Sequence, residues 1–122
     1  MSDPRPAIAI GYVQLPVVNV AMTTDFFVKL GIRTIVTQED FAVLELRGGT
    51  HLVLRPWEEP EGSPVPFDLM VDDIDAAYAH IKGHGLDVTD IIRGRIHDHF
   101  EVKTPDRRAL TMNSSHAGDR AV

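Results

Sequence analysis

Cysteine is absent from this 122-residue chain, which removes disulfides, thiolate metal ligands and thiol nucleophiles together. No run approaches the roughly 20 apolar residues of a membrane span. No charged-then-apolar leader opens the sequence, so a cytoplasmic protein is expected. Basic charge is scarce: 12 Lys and Arg stand against 18 Asp and Glu, a net charge of −6. Nucleic acid and anionic membranes are therefore not expected as partners. A glycine-rich phosphate loop and a serine nucleophile elbow are missing too. Gly48-Gly49 reads as a hairpin turn. The remaining composition, 43% hydrophobic and 25% charged, is ordinary. It suffices for one domain, residues 1–122, with a real core.

The chain repeats itself. Leu15 and Leu69, Asn19 and Asp73, and Gly31 and Gly85 are each 54 positions apart. Each copy reads as an apolar strand, a polar cap, an amphipathic helix and a glycine stop. In the first copy, Val13, Leu15 and Val17 alternate along a strand at 12–17. Pro16 cannot donate a ladder hydrogen bond, so that strand belongs at an edge or carries a bulge. Asn19 caps a helix and Gly31 ends it, with Val20, Thr23, Phe27 and Leu30 on one face. Strands are expected at 34–37, 41–47 and 50–55. In the second copy, Phe67, Leu69 and Val71 form the strand face, and Asp73 and Gly85 bound the helix. Ile74, Ala77, Tyr78 and Ile81 form its buried stripe. Strands are expected at 87–92, 97–103 and 109–113. The last hairpins align at an offset of 58 (Leu44 with Val102, Leu52 with Leu110, Leu54 with Met112), which places four extra residues near 93–96.

The expected organisation is α+β: two βαβββ modules, 8–56 and 67–113, joined by a proline-rich linker at 57–66. A loose arm precedes them at 1–6, and a loose tail follows at 114–122. Helices cover one face of each sheet. The other faces, carrying Tyr12, Gln14 and Pro16 in one copy and Pro66, Asp68 and Met70 in the other, are free to line a cleft in a curved mixed sheet.

Three segments carry a resemblance to a known family. They are Val17-x-Asn19-Val20-x-x-Thr23-x-x-Phe26-Phe27 with Leu30-Gly31-Ile32, Val71-Asp72-Asp73-Ile74-Asp75-Ala76-Ala77 with Gly85-Leu86-Asp87-Val88, and 100–110. Over roughly residues 10–113 the chain resembles the vicinal oxygen chelate superfamily, also called the glyoxalase/bleomycin resistance/dioxygenase family. The resemblance implies paired modules around a cleft and a homodimer. It embraces metal-dependent lyases, epimerases and dioxygenases, and metal-free proteins that sequester antibiotics. Metal-dependent members hold their ion on the first and fourth strands of each module. Carried over, those positions are Tyr12, Val53, Pro66 and Thr111. Zinc, nickel or iron needs imidazole, carboxylate or thiolate donors, which this set does not supply. No metal and no cofactor is expected at that site. Two other sets have ligand-like spacing. His97, His99 and Glu101 share a strand face, and His80 and His84 lie one helical turn apart on what reads as a solvated surface.

The expected cleft lining is Tyr12, Gln14, Phe41, His51, Val53, Arg55, Trp57, Asp68, Met70, His99, Glu101 and Thr111, with Val43, Glu45 and Asn113 beside them. An apolar and aromatic surface with few polar groups suits a small organic molecule. Phe41 and Tyr12 suit a flat ring. Asp68 and Glu101 suit a cation, unless Asp68 pairs with Arg55. Three readings follow: a metal-free small-molecule binder resembling antibiotic-resistance proteins, an enzyme of the type the resemblance implies (lyase, isomerase or dioxygenase) using His99 and Glu101 with or without a divalent metal, and an interaction module whose cleft its own side chains fill.

Overall fold

A computed structural model describes residues 3–58 and 62–122. Residues 1–2 of the expected arm and 59–61 of the expected linker lie outside the described residues. The element order is β1 (Tyr12–Val17), α1 (Val20–Leu30), β2 (Arg33–Thr37), β3 (Ala42–Glu45), a 3-10 turn (Arg47–Gly49), β4 (His51–Pro56), β5 (Leu69–Val71), α2 (Ile74–Gly83), β6 (His99–Lys103) and β7 (Ala109–Ser114). The first sheet has the order β1-β4-β3-β2 and the second β5-β7-β6. In both, the first strand runs parallel to the last, and the remaining pairs are antiparallel. This is an α+β fold of two modules. β1 lies at a sheet edge, where Pro16 leaves no ladder donor missing.

The repeat is visible in the caps. The Asn19 side chain accepts from the Met22 N–H at 2.9 Å, and Asp73 accepts from the Ala76 N–H at 3.0 Å. Both satisfy donors that a helix start leaves unpaired. Gly31 closes α1 at φ 112°, with the Ile32 N–H reaching back to the Phe27 carbonyl at 3.1 Å. A side chain at that φ would be strained. The aligned hairpin residues also agree: Leu44, Leu52, Val102 and Leu110 are fully buried.

The helix-facing side chains of the two modules merge. Leu15, Phe27, Leu52 and Leu54 from the first and Ile81, Phe100, Leu110 and Met112 from the second belong to one hydrophobic cluster. Each such side chain contributes about 1.5–3 kcal/mol by leaving water. The helices touch, and the His80 Nε2 lies 2.9 Å from the Lys29 carbonyl. With the helix sides turned inward to a shared core, the opposite face of each sheet looks outward.

The second module is less regular than its sequence suggests. Residues 87–92 form no continuous strand. They meet β6 through isolated bridges, Val88 with Val102 and Ile92 with His99. Thr89 explains part of this, because its hydroxyl accepts from the Glu101 N–H at 2.9 Å. A side chain that serves the neighbouring backbone competes with a regular ladder. β5 is likewise shorter than expected, beginning at Leu69 rather than Phe67.

The described part of the linker is docked. Val65 is buried and donates its N–H to the Ala109 carbonyl at 3.0 Å. The Ser63, Pro64 and Pro16 carbonyls accept from the buried Arg108 guanidinium at 3.0, 3.5 and 2.9 Å. Asp106, also buried, accepts from the Val18 N–H at 3.3 Å. These bonds fasten the β6–β7 turn to the end of β1. The tail is anchored too: the Ser115 N–H donates to the Val71 carbonyl at 2.8 Å, and Ala117 is buried.

Candidate functional site: two open sheet faces

On the first sheet, register alone builds the site. Tyr12 lies opposite His51, His51 opposite Glu45, and Glu45 opposite Arg33. This polar row crosses all four strands. The Arg33 Nε donates to Glu45 Oε1 at 2.8 Å, and His51 Nε2 stands 3.5 Å from Glu45 Oε2. The Tyr12 ring meets the His51 ring edge-on, centroids 5.6 Å apart. The Arg33 guanidinium holds the Glu45 carboxyl below its usual pKa; partial desolvation opposes this and His51 reinforces it.

The next row is Gln14, Val53, Val43 and Val36. Val53 is only 6% exposed although it lies on the open face. Beyond it Arg55 lies beside Pro16, and one further step of the β3–β4 register brings Phe41 alongside. The Arg55 Nε donates to Gln14 Oε1 at 3.2 Å. Trp57 continues the strand, its N–H bonded to the Val17 carbonyl at 2.8 Å, and is 46% exposed.

The second sheet presents Met70, Asn113 and His99 in one row and Thr111 with Glu101 in the next. Asp68 accepts a hydrogen bond from the Asn113 amide. The expected alternative, an Asp68–Arg55 ion pair, is not formed. His99 and Glu101 share a face, and the Glu101 N–H is taken by Thr89.

The expected lining residues thus fall into two groups. Tyr12, Gln14, Phe41, His51, Val53, Arg55 and Trp57 belong to the first open face, and Asp68, Met70, His99, Glu101 and Thr111 to the second. No hydrogen bond, ion pair or ring contact among the described residues joins one group to the other. Sequence reasoning named Glu45 only in passing and missed Arg33. The Glu45–His51 pairing was available by counting out from the Gly48-Gly49 turn. The Arg33 pairing was hidden by the bulge between Thr34 and Val36.

The donor set at the family's metal positions does not fit a divalent ion. Val53 is apolar, Pro66 has no side-chain donor, and Tyr12 and Thr111 are neutral hydroxyls. Among the described residues no group of three or more His, Asp or Glu is placed to hold a metal. His97 departs from the row expected with His99 and Glu101. It lies outside β6, with its Nδ1 3.0 Å from the Ser114 carbonyl and its ring 5.3 Å from that of His116. His80 and His84 are engaged with backbone carbonyls of Lys29 and His80. A groove of about 590 Å³ follows the seam between modules, lined by Ile10, Leu30, Phe67, Leu69 and Met112, and reaches Asp68 and Met70 of the second face. No helix among the described residues is long and apolar enough to cross a membrane.

Two repeated modules, each with a helix and a small mixed sheet, define the class as α+β proteins of duplicated design. The chain belongs to the Glyoxalase/Bleomycin resistance protein/Dioxygenase superfamily, which it matches over residues 9–110. Solved structures agree in fold. TnmS3, an antibiotic binding protein from Streptomyces sp. CB03234, is similar at 22% identity, with 90% of this chain and 98% of that chain covered and a TM-score of 0.76. Lactoylglutathione lyase from Agrobacterium tumefaciens is similar at 13% identity, covering 94% and 99%, with a TM-score of 0.73. A superfamily member from Alicyclobacillus acidocaldarius is similar at 22% identity, covering 93% and 94%, with a TM-score of 0.69. Among curated proteins, none matches the chain in sequence.

Proposed function

We propose that this protein binds a small organic molecule, without an ordinary metal site, in a cleft built by two copies of the chain. The carrying observation is the outward orientation of both open faces. The exposed Tyr12, Val36 and Met70 on those faces, with Ile35 beside them, make apolar surface of the kind that marks an interaction site. A two-fold pair that sets the first face of one copy against the second face of its partner would give two equivalent clefts. The lining residues are then the twelve named from sequence, with Glu45 and Arg33 added. Antibiotic binding by the similar TnmS3 supports this reading as analogy of fold. It also fits a role in antibiotic resistance and an intracellular site of action in the cytoplasm. Nucleic acid and membranes are not partners in this reading.

A second reading has one specific observation behind it. His51 beside Glu45 and Tyr12 is an oriented imidazole of the kind used in proton transfer. His51 rather than His99 is then the group to test, because the neighbouring carboxylate can steady its proton.

Native mass spectrometry of protein purified without chelator tests the first reading. The expected spectrum shows a dimer, free of stoichiometric zinc, nickel or iron. A monomer, or a dimer carrying one metal per chain, would overturn it.

A further inference from the structure

On the first open face, every charge but one is neutralised. Arg33 is taken by Glu45. Arg55 has no carboxylate partner among the described residues, in a chain where acidic residues outnumber basic ones 18 to 12. Its Nε is fixed on the Gln14 amide, which sets the plane of the guanidinium and leaves the two terminal nitrogens as an unfilled fork. That fork matches a carboxylate or phosphate in two parallel hydrogen bonds. Beside it lie the recessed, apolar Val53 and its partner Val43. Beyond them stands His51, four residues from Arg55 along β4. On a strand this is about 13 Å, at roughly 3.3 Å per residue.

We propose that the ligand is an elongated, planar organic anion. Its acidic group meets the Arg55 fork, its rings cover Val53 and Val43, and a hydroxyl or carbonyl at its far end reaches His51. This inference rests on the small-molecule reading and narrows it. It differs from the cationic ligand that Asp68 and Glu101 suggest from sequence: those carboxylates lie on the second face, whereas on the first face Arg55 is the charge left without a partner of opposite sign among the described residues.

Three matched probes test it by titration calorimetry: 4′-hydroxybiphenyl-4-carboxylate, its carboxamide and its aminomethyl analogue. The carboxylate is expected to bind at least about tenfold tighter than the other two, as a charge-assisted bidentate contact predicts. Arg55→Gln should reduce the carboxylate to the level the wild-type protein shows for the amide. Lys82→Gln, which removes the same charge from an exposed helix position, should leave the carboxylate preference intact. Equal binding of carboxylate and amide, or tighter binding of the amine, overturns the anion inference while the small-molecule reading stands. An unchanged preference in Arg55→Gln overturns the assignment to this residue. Failure of all three probes to bind overturns the inference and counts against the reading beneath it.

Discussion

Where the first module completes its sheet with β2, the second offers residues 87–92, joined to β6 by two isolated bridges. Both modules keep the same cap, the same helix and the same buried hairpin core. They differ at the outer edge and in what they expose. The first face carries a continuous polar row and a recessed apolar floor, and the second carries short side-chain pairs such as Asp68 with Asn113. The difference shows that the duplicated scaffold depends on its helix side, where Phe27 and Phe100 are both fully buried. The open sides were left to diverge, and recognition chemistry is found there.

The strongest way to break this comparison is to remove the core from one module at a time. Phe27→Ala and Phe100→Ala should each cost about 3–5 kcal/mol in chemical denaturation. Because the two rings lie in one cluster, each variant should still unfold in a single transition. Two separated transitions would show that the modules are independent.

Next comes the clasp. Arg108→Leu removes three bonds to carbonyls of Pro16, Ser63 and Pro64. It should cost about 2–3 kcal/mol, as loss of hydrogen bonds to a buried charged group does. A negligible change in denaturation midpoint would mean that the modules hold together through apolar packing alone.

The caps sharpen the likeness between copies. Asn19→Ala and Asp73→Ala should each lower stability by about 1 kcal/mol, and by similar amounts. A large disparity in thermal melts would mark one helix as the weaker member.

The smallest effect concerns pH. Glu45 is held ionised below its usual pKa, chiefly by Arg33. A depressed carboxylate contributes stability that is fully present above its unfolded pKa and is lost as pH falls through its folded pKa. Glu45→Gln should therefore lower Tm slightly in the neutral range, converge on the wild-type protein in acid, and so flatten the decline of Tm as pH falls. Asp75, lowered by Arg93 in the second module, provides the matching control. An acid profile that is unaltered in Glu45→Gln but flattened in Asp75→Asn would reverse the assignment of charge organisation to the first face.

Much of the scaffold was legible because it depends on local rules. The alternation at Val13, Leu15 and Val17, the caps at Asn19 and Asp73, and the turns at Gly31 and Gly85 each follow from backbone chemistry within a few residues. The change of offset from 54 to 58 also located the loop around Arg93, where that residue pairs with Asp75 at 2.6 Å and with Asp98 at 3.0 Å. The strand at 87–92 was misread because alternation does not show that the Thr89 hydroxyl will take a ladder donor. The site was legible as membership of a face and illegible as partnership. Arg33 met Glu45 across a bulge, and Asp68 chose Asn113 over Arg55, because long flexible side chains settle in three dimensions. The outward turn of both faces was hidden for another reason: periodicity gives a helix its buried stripe but does not say that two stripes share one core.

Arg108 reaches back across 92 residues to Pro16, and across about half that distance to Ser63 and Pro64. Together with the shared core, this side chain ties the halves by a contact that does not run through the linker. A chain cut between Trp57 and Ser63 would still be stitched at the end of β1, and its two pieces would travel through a gel filtration column as one particle.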